Sequence, residues 1–67
     1  MSDFKQRLAV ENDELVDKIG KLEDFLNTPA PKGFTILDGN LLKIQLNAMR
    51  TYQMCLMTRI DYLIDRE

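Results

Sequence analysis

The sequence lacks the residues with which small proteins often stabilise a short chain. Its 67 residues include no histidine and a single cysteine, Cys55. One cysteine can neither close a disulfide within the chain nor hold a structural zinc alone. A chain of this length buries only about 60% of its unfolded surface and usually needs a disulfide, a metal or a partner chain. We therefore expect the protein to associate with itself, as a dimer or a larger oligomer.

Other absences exclude whole classes of protein. No apolar run approaches the length of a membrane span, and the N-terminal residues lack the apolar core of a signal peptide. Nine basic residues stand against eleven acidic ones, with the signs interspersed, which is not the basic footprint of a general nucleic-acid binder. Methionines and one free cysteine suit a reducing compartment. The composition predicts a cytosolic protein whose partners include neither a membrane nor nucleic acid.

Proline and glycine are scarce, and both prolines fall within residues 29–31. Because proline and glycine interrupt helices, and because no strand-like alternation occurs, we predict a single all-α domain over residues 1–67. It is an antiparallel two-helix hairpin, with helices at about 3–27 and 38–65 and a loop at 27–38. The start of the second helix stays open by several residues, because three residues there are suitable caps: Thr35, Asp38 and Asn40.

Each predicted helix carries a heptad stripe of apolar residues that is interrupted by one amide. The first stripe comprises Leu8, Asn12, Leu15, Ile19, Leu22 and Leu26, and the second comprises Leu42, Leu46, Met49, Gln53, Leu56, Ile60 and Leu63. When the helices are paired antiparallel, the numbers of opposite residues add up to 64 or 65, which places Asn12 opposite Gln53. A buried amide is best known for fixing register and oligomeric state. We predict that role for Asn12 and Gln53.

The second helix is apolar over a wider arc than the first helix can cover. Beside its stripe it carries a flank formed by Leu41, Gln45, Ala48, Tyr52, Cys55 and Arg59. An exposed apolar patch of this size indicates an interface, so we place the second helix at the centre of a homodimer that forms a four-helix bundle. Cys55 is expected to be a small buried residue there. The predicted oligomer interface comprises Leu41, Ala48, Tyr52, Cys55, Leu56 and Leu63.

The connection between the helices contains three apolar residues, Phe34, Ile36 and Leu37. We expect them to close the end of the hairpin by packing over Phe25 and Leu26. The alternative is that they form a binding hot spot in the loop.

No recognisable catalytic or metal-binding pattern occurs in the sequence, so we expect neither an enzyme nor a cofactor. The nearest approach to a site is a ladder of Gln45, Tyr52 and Arg59, spaced seven residues apart on one flank of the second helix. These residues could bond to one another or to a second chain at the edge of the interface. Alternatively, Tyr52 and Arg59 face a groove between chains, where a ring can stack and a guanidinium can bind phosphate or carboxylate. Arg50, Tyr62 and Lys43 could extend that site.

The run Gln45-x3-Met49-x2-Tyr52-x3-Leu56-x2-Arg59-Ile60 resembles the C-terminal pattern of a group of small, mostly uncharacterised helical-hairpin proteins encoded by tailed bacteriophages and prophages. Further matches lie upstream, at Glu14, Leu15, Lys18, Ile19, Lys21, Leu22, Phe25, Leu26, Phe34 and Leu37. The loop at 29–33 departs from the group, in which a short linker without Pro-Ala-Pro is usual. The resemblance implies a viral origin and a location in the host-cell cytoplasm, and it carries no agreed activity.

For a phage product of this kind, two functions of different classes are the main hypotheses. In the first, the oligomeric hairpin binds and modulates a host protein and so inhibits antiviral defence. In the alternative, it sequesters a small nucleotide-like signalling molecule at a groove between chains, through Tyr52 and Arg59. A structural or accessory role in the virion is a third possibility.

Overall fold

The computed structural model describes residues 2–65, and the side chains of residues 3–63 within them. Over this range the chain forms two helices, α1 (Ser2–Leu26) and α2 (Ile36–Asp65). They pack against each other as a hairpin about 51 Å long and 15 Å across. The predicted all-α hairpin is confirmed, and its observed bounds lie within two residues of the predicted ones. Self-association and a four-helix bundle stay predictions.

The first helix ends where the chain approaches Pro29. The Asn27 N–H donates to the carbonyl oxygens of Glu23 and Asp24, both at 3.1 Å. The Thr28 hydroxyl donates to the carbonyl oxygen of Phe25 at 2.7 Å. These bonds satisfy carbonyl groups that have no partner further along the helix, and they end α1 without a glycine cap.

The loop turns at Lys32 and Gly33. The Phe34 N–H donates to the Pro31 carbonyl oxygen at 3.0 Å, which closes a four-residue turn. Gly33 has a φ of 86°, a value that the third position of a type II turn requires and that glycine adopts without steric cost. The turn therefore depends on glycine at this position.

A reciprocal capping box starts the second helix. The Asp38 N–H donates to Thr35 Oγ1 at 3.1 Å, and the Thr35 N–H donates to Asp38 Oδ2 at 2.9 Å. The Gly39 N–H then bonds to the Thr35 carbonyl oxygen at 3.1 Å, the first bond of the helical series. Each side chain thus satisfies an N–H group that the helix leaves unpaired. Thr35 is the cap among the three candidates.

The core lies along the seam between the helices and is thin. Of the described side chains, three are buried: Leu8, Leu46 and Leu56. The other residues of the two predicted stripes are half-buried. Leu56 is completely inaccessible within the hairpin, because α1 covers it, so it has no surface left for a second chain. Its predicted place in an oligomer interface is therefore corrected to one in the intrachain core.

The apolar residues of the connection do not act together. Phe34 packs edge-on against Phe25, with ring centroids 5.7 Å apart and ring planes at 72°, as expected. Ile36 and Leu37, however, are 86% and 65% exposed, so the expectation that they close the hairpin was wrong. The reason is the capping box, because a helix that starts directly after Thr35 directs its first two side chains away from α1.

Candidate functional site

The two amides of the stripes meet across the seam. Gln53 Nε2 donates to Asn12 Oδ1 at 3.3 Å, and both residues are half-buried. No buried side-chain nitrogen or oxygen is left without a partner in the part of the chain that the structure describes. The layer predicted from the spacing is present, and its role in choosing register or oligomeric state stays a prediction.

The ladder on the flank of α2 does not bond within itself. The Tyr52 hydroxyl instead donates to the Glu11 carboxylate on α1. Gln45 Nε2 lies 3.9 Å from Met49 Sδ, one turn further along α2. Among residues 3–63, no hydrogen bond or ion pair to Arg59 occurs. Of the three, Tyr52 is therefore the one that links the flank to α1.

Of the residues expected to extend this site, Arg50 and Lys43 lie away from Arg59. Arg50 forms an ion pair with Glu23 near the other end of the hairpin. It is nine residues from Arg59, roughly 13 Å along the helix axis. Tyr62 is 60% exposed, and Lys43 is also exposed. Arg50 and Lys43 therefore lie away from Arg59, whereas Tyr62 lies one turn further along α2 from Arg59.

Arg59 lines a groove with residues of α1 that the sequence did not single out. The groove measures about 270 Å³ and is formed by Phe4, Arg7, Leu8 and Glu11 with Arg59. Leu8 is buried beneath it, whereas Phe4 exposes 44% of its surface. Glu11 joins the groove to Tyr52 through the bond described above. We call this the arginine groove.

The charges of the arginine groove are unbalanced. It holds the guanidinium groups of Arg7 and Arg59 and one carboxylate, that of Glu11. Neither guanidinium forms an ion pair with a carboxylate of the described residues. Two guanidiniums without a carboxylate partner among the described residues, beside the exposed ring of Phe4, can bind a planar anion, because guanidinium forms bidentate bonds with phosphate and carboxylate.

Sequence reasoning missed Phe4 and Arg7, although the pairing rule held the clue. If opposite residue numbers add up to about 65, Arg59 faces the first three turns of α1, where Phe4, Arg7 and Glu11 lie. Their spacing of three and four residues places them on one side of a helix. The helical wheel of α1 alone did not single out Phe4 and Arg7, since charged residues surround its apolar stripe.

The described residues offer neither a metal site nor a membrane-spanning helix. No group of three or more His, Cys, Asp or Glu side chains there could hold a metal ion. Neither described helix is long and apolar enough to cross a membrane.

A thin helical hairpin whose groove carries two guanidiniums and one ring is compatible with a small all-α binding protein. The chain belongs to the Sequestin family, whose model matches residues 2–62. No curated protein and no solved structure matches it. The family name is consistent with a binding role rather than with catalysis.

Proposed function

We propose that this protein is a non-enzymatic binder that sequesters a small anionic molecule containing an aromatic ring, such as a nucleotide signal. The single observation that carries the proposal is the convergence of Arg7 and Arg59, both without a carboxylate partner among residues 3–63, on one groove. The family name supports it, because to sequester a molecule is to bind it and withhold it. Of the two main hypotheses from sequence, this favours the nucleotide-like ligand.

The groove offers contacts for both the phosphate and the base of a nucleotide. Arg7 and Arg59 bind the phosphate through charge-assisted bidentate bonds. Phe4 lines the groove and Tyr52 is bonded to Glu11 beside it. With 44% and 45% of their surfaces exposed, the two rings offer faces on which a base can stack, an interaction worth about 1–3 kcal/mol per base. Because an aromatic ring stacks on any base, stacking alone discriminates weakly between nucleotides. The arrangement of the phosphates provides more of the discrimination between ligands.

Glu11 restricts which anions the arginine groove can bind. Its carboxylate accepts the hydrogen bond from the Tyr52 hydroxyl and so holds that ring in place. It also repels an approaching anion. We infer that Glu11 restricts the ligand to those whose negative charge lies at the Arg7–Arg59 end.

The cellular setting follows from the resemblance to phage proteins. We propose that the protein is a phage product in the host-cell cytoplasm, that it withholds a signal of antiviral defence, and that it acts as a homo-oligomer with α2 at its centre. The thin core and the exposed apolar residues of α2 support self-association.

Thermal denaturation with a panel of linear and cyclic nucleotides tests the function. At 100 times the Kd, a ligand stabilises the folded state by about 2.7 kcal/mol, which raises the Tm of a domain of this size by about 10–20 °C. Arg59→Ala and Arg7→Ala should each abolish the shift. Arg50→Ala is the matched control, because Arg50 is paired with Glu23 away from the groove. No shift with any nucleotide, or a full shift in Arg59→Ala, would overturn the proposal.

A protein partner is the second candidate, and the exposure of Ile36 and Leu37 favours it. Two large apolar side chains at the loop end of the hairpin resemble the anchors of a protein interface. Under this hypothesis, tagged protein expressed in host cells retrieves one dominant host protein. Ile36→Ser with Leu37→Ser should lose that protein, whereas Arg59→Ala, at the other end of the hairpin, should retain it.

A further inference from the structure

A third heptad stripe, which we call the outer stripe, runs along the solvent side of α2. It consists of Leu37, Leu41, Ile44, Ala48, Thr51, Cys55, Thr58 and Tyr62. Its spacing alternates between four and three residues, and none of its members is charged. All eight are exposed in the hairpin. At 3.6 residues per turn, the stripe lies roughly 140° around α2 from the seam with α1.

The hairpin exposes more surface than a compact monomer of its size. Its accessible surface is 5454 Å², whereas a monomeric protein of 7.8 kDa is expected to expose about 4,400 Å². The excess of roughly 1,000 Å² is close to the 800 Å² that each partner contributes to an interface of standard size. One further copy of the chain on α2 would therefore bury about the surplus.

The two threonines of the outer stripe already use their hydroxyl donors within α2. The Thr51 hydroxyl donates to the Asn47 carbonyl oxygen at 3.0 Å, and the Thr58 hydroxyl donates to that of Met54 at 2.9 Å. Both donors are satisfied within α2 itself. Covering them with apolar atoms leaves no hydroxyl donor unpaired, which is the main cost of burying a polar side chain.

Side-chain size changes along the stripe, and this fixes the orientation of a second copy. Large residues occupy the first half, at Leu37, Leu41 and Ile44, and small residues follow from Ala48 to Thr58. A parallel pair would set large residues against large and small against small, so the helices could not keep a constant separation. The antiparallel pair proposed below sets Leu41 and Ile44 against the small residues Thr58 and Cys55, as dense packing favours, and Ala48 meets Thr51 in the central layers.

We propose that two copies pair through their outer stripes, antiparallel, with opposite residue numbers adding up to 99. This register covers all eight members, whereas a shift of one heptad in either direction leaves two of them without a partner. The layers are Ala48 with Thr51, Ile44 with Cys55, Leu41 with Thr58, and Leu37 with Tyr62 at the ends.

The pairing would give the arginine groove a second wall. Gln45, Tyr52 and Arg59 lie on the arc of α2 between the seam and the outer stripe. A partner helix on the outer stripe therefore runs beside these residues, opposite α1. This inference rests on the self-association proposed above and adds its orientation and register.

Disulfide trapping tests the register, because Cys55 is the one native cysteine. Ile44→Cys places a thiol opposite the partner's Cys55, so oxidised glutathione should convert most of the protein to a covalent dimer, with the bond mapped between positions 44 and 55. In the native protein the two Cys55 thiols would lie roughly 16 Å apart along the axis, beyond the reach of a disulfide. Leu37→Cys is the matched control, at roughly 10 Å from Cys55. The native protein and Leu37→Cys should each form at least tenfold less covalent dimer than Ile44→Cys.

The other outcomes overturn the inference in distinguishable ways. Covalent dimer in the native protein would indicate a parallel pair, and dimer in Leu37→Cys a register shifted by one heptad. If Ile44→Cys loses its helical circular dichroism, a second variant replaces it in the trapping experiment. That variant combines Leu41→Cys with Thr58→Cys, which are opposite each other in this register, on a Cys55→Ser background. If sedimentation shows a dimer but neither Ile44→Cys nor its replacement forms the intermolecular disulfide, the register is refuted and self-association stands. A monomer by sedimentation refutes self-association too, whereas nucleotide-induced stabilisation of that monomer would leave the sequestering function standing.

Discussion

Gln53 in α2 donates a side-chain hydrogen bond to Asn12 in α1, across a seam that is otherwise built from leucine, isoleucine and methionine. The two residues are 41 positions apart in the chain. Sliding the helices by one turn would break this bond and place both half-buried amides opposite apolar side chains, at a cost of about 1 kcal/mol. The bond therefore favours one register of α1 on α2.

Replacing both amides should separate stability from specificity. Asn12→Leu with Gln53→Leu removes two partly buried polar groups, so the free energy of unfolding should rise by about 1 kcal/mol. The register or the oligomeric state should become heterogeneous, as measured by urea denaturation and sedimentation velocity. Asn12→Leu alone should instead destabilise by about 1 kcal/mol, because Gln53 loses its partner. If the double variant stays a single defined assembly, the specificity role is wrong.

Leu56→Ala should be the most damaging single substitution in α2. Leu56 is the one fully inaccessible side chain among the described residues, and truncating a buried leucine costs about 2–5 kcal/mol. In a domain of this size that loss approaches the total stability, so helical circular dichroism should fall sharply at 25 °C. Met54→Ala is the control, because Met54 is 67% exposed. An equal loss in both variants would contradict the thin leucine core.

Removing the cap of the second helix should have a smaller effect. Thr35→Ala deletes the hydroxyl that accepts from the Asp38 N–H, and loss of such a cap costs about 1 kcal/mol. Thr35→Ser keeps the acceptor and should unfold at nearly the native urea midpoint. Identical midpoints for the native protein and Thr35→Ala would show that the capping box does not contribute to stability in solution.

Neutralising Glu11 should tighten binding of an anionic ligand. Glu11→Gln retains an acceptor for the Tyr52 hydroxyl but removes the carboxylate from the arginine groove. A unit charge at about 6 Å in water is worth roughly 0.7 kcal/mol, so the Kd for a nucleotide should fall by about threefold in calorimetry. The gain should shrink as salt is added, because salt screens exposed charges.

Glu14→Gln is the control for this change, because Glu14 also lies on α1 but does not line the groove. It should leave the Kd within experimental error. Weaker binding by Glu11→Gln would instead indicate that the carboxylate itself contacts the ligand.

The helices and their pairing were predictable because both depend on periodicity. Heptad spacing alone placed Asn12 opposite Gln53, and the structure shows that bond. The two prolines and Gly33 located the loop correctly. Ile36 and Leu37 were misplaced because composition does not show which of several caps starts a helix, and a shift of two residues turns a side chain by about 200°.

The arginine groove was only half predictable. Tyr52 and Arg59 stood out because packing does not demand them on α2. Phe4 and Arg7 did not, since their importance arises from what lies opposite them rather than from their own helix. The bond from Tyr52 to Glu11 likewise depends on how long side chains reach across the seam, which periodicity does not describe.

The exposed loop also makes the hairpin easy to label. Residues 27–33 are all exposed, the register depends on a layer roughly 20 Å away from them, and doubling the length of a flexible loop costs only about 0.6 kcal/mol. A fluorophore or epitope inserted beside Ala30 would therefore sit at the far end of the molecule, roughly 27 Å from the arginine groove. The connection offers a place from which ligand capture could be followed inside cells without disturbing the helices that perform it.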